Sequence, residues 1–153
     1  MSLEKKTVPS SLYIAASKTL TLPQVAEYAA ATVEELYKEA QKFNLEVSGP
    51  CEFIYTNCTG EMDKEFELKI VIPIVEKGEK LDTFDYYESE SYECISKDYT
   101  GSMDGIGGAW ESLMKEVESN NIALSSQNHC REIYKNWLSF ESPENITELQ
   151  SQI

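Results

Sequence analysis

The 153-residue sequence predicts an α+β fold: two pseudo-symmetric β-α-β-β repeats that form antiparallel sheet, with both helices on one face and a ligand groove between the repeats. Three observations predict it. The segment Pro50-Cys51-Glu52-Phe53-Ile54-Tyr55 returns as His129-Cys130-Arg131-Glu132-Ile133-Tyr134 after a shift of 79 (51 to 130), matching at Cys, Ile and Tyr. Two stretches carry apolar residues at steps of three and four, the helical spacing. Around each of them, runs of strand formers fall in the order strand, helix, strand, strand.

Taken in order, residues 1–10 lack periodicity and read as a flexible leader, ahead of a single domain over 11–153. Repeat one spans 11–74. Ser11 to Leu22 is rich in strand formers, with alternation clearest at Leu20 and Leu22. Val25, Ala29, Val33, Leu36, Ala40 and Phe43 form the apolar stripe of a helix opened by Pro23, which suits a first helical turn. Ser48-Gly49-Pro50 breaks that pattern and admits a strand from Cys51 to Asn57. A second strand, Phe66 to Ile74, holds Pro73, which implies an edge or a strand end.

Residues 75–89 have the charge and breaker content of a connector, with Phe84, Tyr86 and Tyr87 inside it, either lining a groove or packing onto the body. Repeat two spans 90–153. Ser91 to Tyr99 is its first strand, Asp104 a candidate helix cap, and Ile106, Trp110, Leu113 and Val117 the second helical stripe. The repeated motif is then a strand, and 146–153 is the last one. The glycines at 101, 105, 107 and 108 form no phosphate-binding fingerprint.

Composition narrows the function. Twenty-seven acidic residues against thirteen basic ones give a net charge of -14, a field that repels nucleic acid phosphates and suits a cationic small molecule or a basic protein surface. No apolar run is long enough to span a bilayer, and Met1 to Lys6 shows no secretion signal, so the expected compartment is the cytoplasm. Four cysteines, at 51, 58, 94 and 130, form no CxxC pair and accompany one histidine, so neither a zinc site nor a disulfide framework is expected. Cys51 and Cys130 hold equivalent places in the two copies, which leaves open whether they lie close together. No metal or other cofactor is predicted.

On a strand, alternation sends Arg131 and Ile133 to one face and Cys130, Glu132 and Tyr134 to the other, so one face carries a carboxylate beside a phenol. The first copy has Phe53 where the second has Glu132, and Phe53 and Tyr55 form the opposing wall of the seam. His129 and Cys130 are adjacent and therefore point to opposite faces, which argues against a catalytic dyad. Trp110 lies on the apolar stripe of its helix, and it and Phe53 fit either the core or the groove.

Tyr99 and Gly101, Ala109-Trp110 and Leu113, Arg131-Glu132-Ile133-Tyr134 and Glu148, together with the aliphatic-Pro-aliphatic end of 67–74, resemble the GyrI-like effector-binding domain. That domain is also found at the C-terminus of AraC-type and MerR-type regulators. The resemblance covers roughly residues 10 to 153 and implies a groove between the repeats, where a carboxylate at Glu132 meets cationic or polar aromatic ligands, with Tyr134 and Trp110 as groove aromatics. It departs from the pattern in the last strand, which lacks the usual proline. A stand-alone copy without the regulators' DNA-binding segment is expected. The function expected is a sensor or sequestering module for small molecules. Two alternatives accompany it: a hydrolase of electrophilic small molecules using Glu132 and Tyr134, and a gyrase-inhibitor-like protein with a regulator or gyrase as partner.

Overall fold

The structure is a computed structural model, and it describes residues 3–125 and 129–153. These residues form an eight-stranded antiparallel sheet and two long helices, each entered through a single 3-10 turn. In chain order the elements are β1 (Glu4–Val8), β2 (Leu12–Leu20), α1 (Val25–Lys42), β3 (Glu52–Thr56), β4 (Phe66–Pro73), β5 (Asp85–Glu88), β6 (Tyr92–Thr100), α2 (Ile106–Ser119), β7 (His129–Asn136) and β8 (Ile146–Gln152). The sheet order is β1-β6-β8-β7-β3-β4-β2-β5, so each β-α-β-β repeat occupies one half and β3 meets β7 at the centre.

Register makes the duplication concrete. Across the β3–β7 seam, Phe53 pairs with Glu132, and these two positions are also related by the shift of 79. The pseudo-twofold therefore passes through that pair. Its flanking mates, Glu52 and Arg131, face each other across the same axis, as do Tyr55 and Tyr134.

Both helices lie on one face. Leu36 of α1 packs on Ile14, Leu68, Ile70 and Ile72, while Leu113 and Val117 of α2 pack on Ile95 and Leu149. The pairings Phe53 with Ile70, Phe53 with Glu132 and Glu132 with Leu149 carry that face continuously from one half to the other.

With both helices on one face, a flat sheet would leave the opposite face open. That face is not open here, because the sheet curls. Three residues, 9–11, carry the chain from β1 to β2, which are six steps apart in the sheet. A flat sheet would need about 29 Å there, whereas that link reaches about 15 Å at most. The two ends of the sheet meet where the link crosses residue 89: the Ser10 hydroxyl donates to the Ser89 carbonyl at 2.7 Å, and the Ser89 amide to the Ser11 carbonyl at 2.8 Å. Inside the curl Tyr13, Ala15, Ile54 and Val71 are buried without any helix above them, and Tyr87 stacks on Tyr13 at 5.9 Å.

Three expectations need correction. Within the stretch read as a leader, Glu4–Val8 is an edge strand paired with β6; residues 1 and 2 lie outside the described residues. Asp85–Glu88, in the expected connector, is the other edge strand, paired with β2, and its aromatics pack onto the body, Phe84 and Tyr86 on the helix side and Tyr87 on the inner side. Both strands are short and charged, a composition that blunts sheet edges and hides them from hydrophobic patterning. The residue at the N-cap of α2 is Gly105, not Asp104, which lies within the preceding 3-10 turn.

That turn is packed closely against Tyr99, whose hydroxyl donates to the Ser102 carbonyl at 2.7 Å. A Cβ at Gly105 would overlap the same hydroxyl, and one at Gly101 would lie 2.6 Å from it. Gly105→Ala is accordingly expected to lower the unfolding free energy by about 1–3 kcal/mol, the usual cost of overpacking. Urea denaturation checks this, and an unchanged midpoint would show that Tyr99 swings away freely.

Candidate functional site

Strand alternation in β7 sends Glu132 to the helix face, at the centre of the seam and beneath α2. There it is 5% exposed, and both carboxylate oxygens accept hydrogen bonds. Oε1 accepts from the hydroxyls of the two mate tyrosines, Tyr134 at 2.5 Å and Tyr55 at 3.1 Å. Oε2 accepts from the indole Nε1 of Trp110 at 2.7 Å. Phe53 closes the floor, its ring edge-on to Tyr134 at 4.9 Å, and Tyr55 leans on Phe66 at 5.6 Å.

The five residues singled out from the sequence are thus brought together. Trp110 takes both of the roles left open for it: its ring packs with the core under α2, and its N–H reaches the carboxylate. Phe53 is likewise part of the core cluster beside α1 and the neighbour of Glu132 in register.

The electrostatics follow from burial. Desolvation raises the Glu132 pKa above the ordinary glutamate value, and the bonds from Tyr134, Trp110 and Tyr55 pull it partly back. Tyr55 and Tyr134 are pushed well above the usual phenol range, by burial first and by the neighbouring carboxylate second, so both remain donors. No cation pairs with Glu132 among the described residues. Beside it on the helix face is Thr147, which pairs with Tyr134 in register. Thr147 is fully buried, and its hydroxyl has no hydrogen-bond partner among the described residues.

The cysteines do not converge as equivalence suggested they might. Cys130 pairs with Tyr55, whereas Cys51 accepts from the Tyr134 amide at the other end of the seam, roughly 13 Å of strand away. Equivalent residues in an antiparallel seam approach only near its axis. His129 meets Thr56, 3.1 Å from its hydroxyl.

A second cluster, on the inner face, escaped sequence reasoning. Arg131 bonds its mate Glu52 at 2.8 Å, Tyr13 donates to the same carboxylate at 3.3 Å, and the Tyr92 ring lies 4.5 Å from the guanidinium carbon. Farther along, Tyr92 donates to Gln150 at 2.6 Å, and Glu148 accepts from Gln150, Ser96 and Lys6. Glu148 is held below the ordinary glutamate value: burial opposes this, and the bonds from Gln150, Lys6 and Ser96 outweigh it. Once the repeat is aligned, the acid at 52 facing the base at 131 is the signal that would have found the first pair.

An eight-stranded antiparallel sheet with two helices on one face matches the GyrI-like fold. No family model matches the sequence, and no curated protein does. Solved structures do. SAV2435 bound to tetraphenylphosphonium superposes with a TM-score of 0.71 at 12% identity, over 99% of this chain and 93% of that one. The EcmrR C-terminal domain gives 0.75 at 18% identity, over 99% and 96%; of the longer EcmrR chain in its DNA complex, this chain spans 56%. A hydrolase from Listeria innocua gives 0.60 at 16% identity, over 97% and 90%. At these identities the likeness establishes the fold. No helix among the described residues is long and apolar enough to cross a membrane.

Proposed function

We propose that this chain is a small-molecule effector-binding domain whose seam takes lipophilic, aromatic cations, with Glu132 as the charge partner and Tyr55, Tyr134, Trp110 and Phe53 as the aromatic walls. The observation that carries the reading is a buried carboxylate, lying on the axis of a duplicated sheet and surrounded by rings, with no cation among the described residues to neutralise it. Burying a carboxylate is costly, and three neutral donors offset only part of the cost. A cation drawn toward it gains from the charge and from the ring faces together. SAV2435, which shares the fold, was solved with such a cation.

In this structure the rings close over Glu132, so a bulky ligand enters by parting Trp110 and the tyrosines. The Thr147 hydroxyl leaves a spare polar group under the site for ligands that carry one. The acid-assisted hydrolase reading, which a neighbour described as a hydrolase keeps in view, is less well served by this geometry. Activating a water requires a carboxylate lone pair aimed at it, and Glu132, 5% exposed, already accepts three hydrogen bonds on its four lone-pair sites.

Isothermal titration with tetraphenylphosphonium tests the proposal. Wild type is expected to bind one equivalent, and Glu132→Gln to bind at least about tenfold more weakly, a loss of roughly 1.4 kcal/mol. Equal affinity of the two proteins would reject Glu132 as the charge partner.

A further inference from the structure

The hairpin between β7 and β8 presents Trp137, Leu138 and Phe140 to solvent, 52%, 55% and 52% exposed, within four consecutive positions. Connecting loops are ordinarily polar, and an apolar cluster on the surface of a soluble domain usually marks an interaction site. The backbone that carries it is anchored by hydrogen bonds. Asn145 is fully buried; its Oδ1 accepts from the Leu138 amide at 2.8 Å, and its Nδ2 donates to the Ser139 carbonyl at 2.7 Å. Asn136 Nδ2 donates to the Glu144 carbonyl, and the Phe140 carbonyl accepts from the Met103 amide at 2.9 Å, which ties the tip to the turn before α2. The hairpin backbone is therefore tied to the body, and a partner need not bear the entropy of ordering it.

The charges around the tip select the partner. Glu141 and Glu144 of the hairpin and Asp104 of the adjoining turn are exposed, and none of them forms an ion pair among the described residues. The nearest lysine along the chain, Lys135, is engaged with Asp98 at 3.0 Å. A second copy would bring the same acidic rim against itself in a chain of net charge -14, and an anionic membrane would be repelled.

From the apolar tip on its anchored backbone and its acidic rim we infer a docking surface at 137–140 for a protein partner that offers an apolar face flanked by basic side chains. The apolar tip supplies contact area and the rim supplies steering and orientation. This surface is separate from the Glu132 seam.

The test uses a fluorescein-labelled amphipathic helical peptide of leucine and lysine, and its leucine and glutamate counterpart, titrated with the full chain at physiological salt and read by anisotropy. The basic peptide is expected to bind wild type. Its affinity should fall at least about tenfold for Leu138→Ser with Phe140→Ser, and again for Asp104→Lys with Glu141→Lys and Glu144→Lys, since few contacts carry most of an interface. Glu132→Gln should bind it as wild type does, which separates this outcome from that of the seam. Unchanged binding by the serine variant would overturn the inference, as would equal binding of the acidic peptide. So would association with phosphatidylcholine vesicles that the serine variant loses, or a wild-type dimer in sedimentation that the serine variant disperses. The side chains substituted at the tip and its rim are exposed, and matched urea midpoints confirm that the variants stay folded.

Discussion

Glu52→Ala is expected to lower the unfolding free energy by about 3–5 kcal/mol, because it strands the Arg131 guanidinium inside the curled sheet. The two side chains are 9% and 12% exposed and bonded at 2.8 Å, and Tyr13 lies 3.3 Å from both partners. The pair is weak evidence of stability in itself, since desolvation offsets much of its attraction; the large effect comes from leaving one charge without the other. Glu52→Leu combined with Arg131→Met should therefore recover most of the loss. Urea denaturation at neutral pH measures all three proteins. A single variant within about 1 kcal/mol of wild type, or a double variant worse than the single, would refute the argument. The pair also records how the duplication was made compatible with itself. Mates facing each other across a pseudo-twofold would be identical in a perfect repeat, and two glutamates or two arginines there would repel. Opposite charges at 52 and 131 turn the clash into a bond.

What could be read from the chain was what depends on neighbours in sequence. Alternation in 129–134 was enough to place Glu132 and Tyr134 on one face, and the shift of 79 was enough to set that strand beside its copy. What could not be read depends on partners far away in the chain. β1 holds four charged or polar residues and Val8, and its strand character exists only because β6, some ninety residues later, offers an edge. β5 is the same case against β2. The contact between Trp110 and Glu132 needs the height of a helix above a sheet, which periodicity does not contain. Cys51 and Cys130 show what equivalence in a repeat leaves open: an antiparallel seam keeps equivalent residues apart everywhere but at its axis.

The axis carboxylate should also make the protein respond to pH, and the sign is fixed by its burial. Glu132 has its folded pKa raised, so its protonated form suits the empty site best. The associated stability is fully present below the ordinary glutamate value and is lost as pH rises through the raised one. Wild type should thus lose thermal stability relative to Glu132→Gln as pH climbs above about 4.5. Comparing the two at each pH cancels the contributions of Glu52, which is also raised by burial, and of Glu148, which is lowered and acts in the opposite sense. A bound cation reverses the preference by favouring the carboxylate. Tetraphenylphosphonium affinity should therefore rise with pH, by at most about tenfold per unit, and level off above the raised pKa. Proton release follows from the same linkage: titrations in buffers of different ionisation enthalpy should detect it on the rising limb and lose it in Glu132→Gln. Parallel melting curves for the two proteins from pH 4 to 8 would mean that Glu132 keeps one protonation state throughout, and the seam would then attract cations through its rings alone.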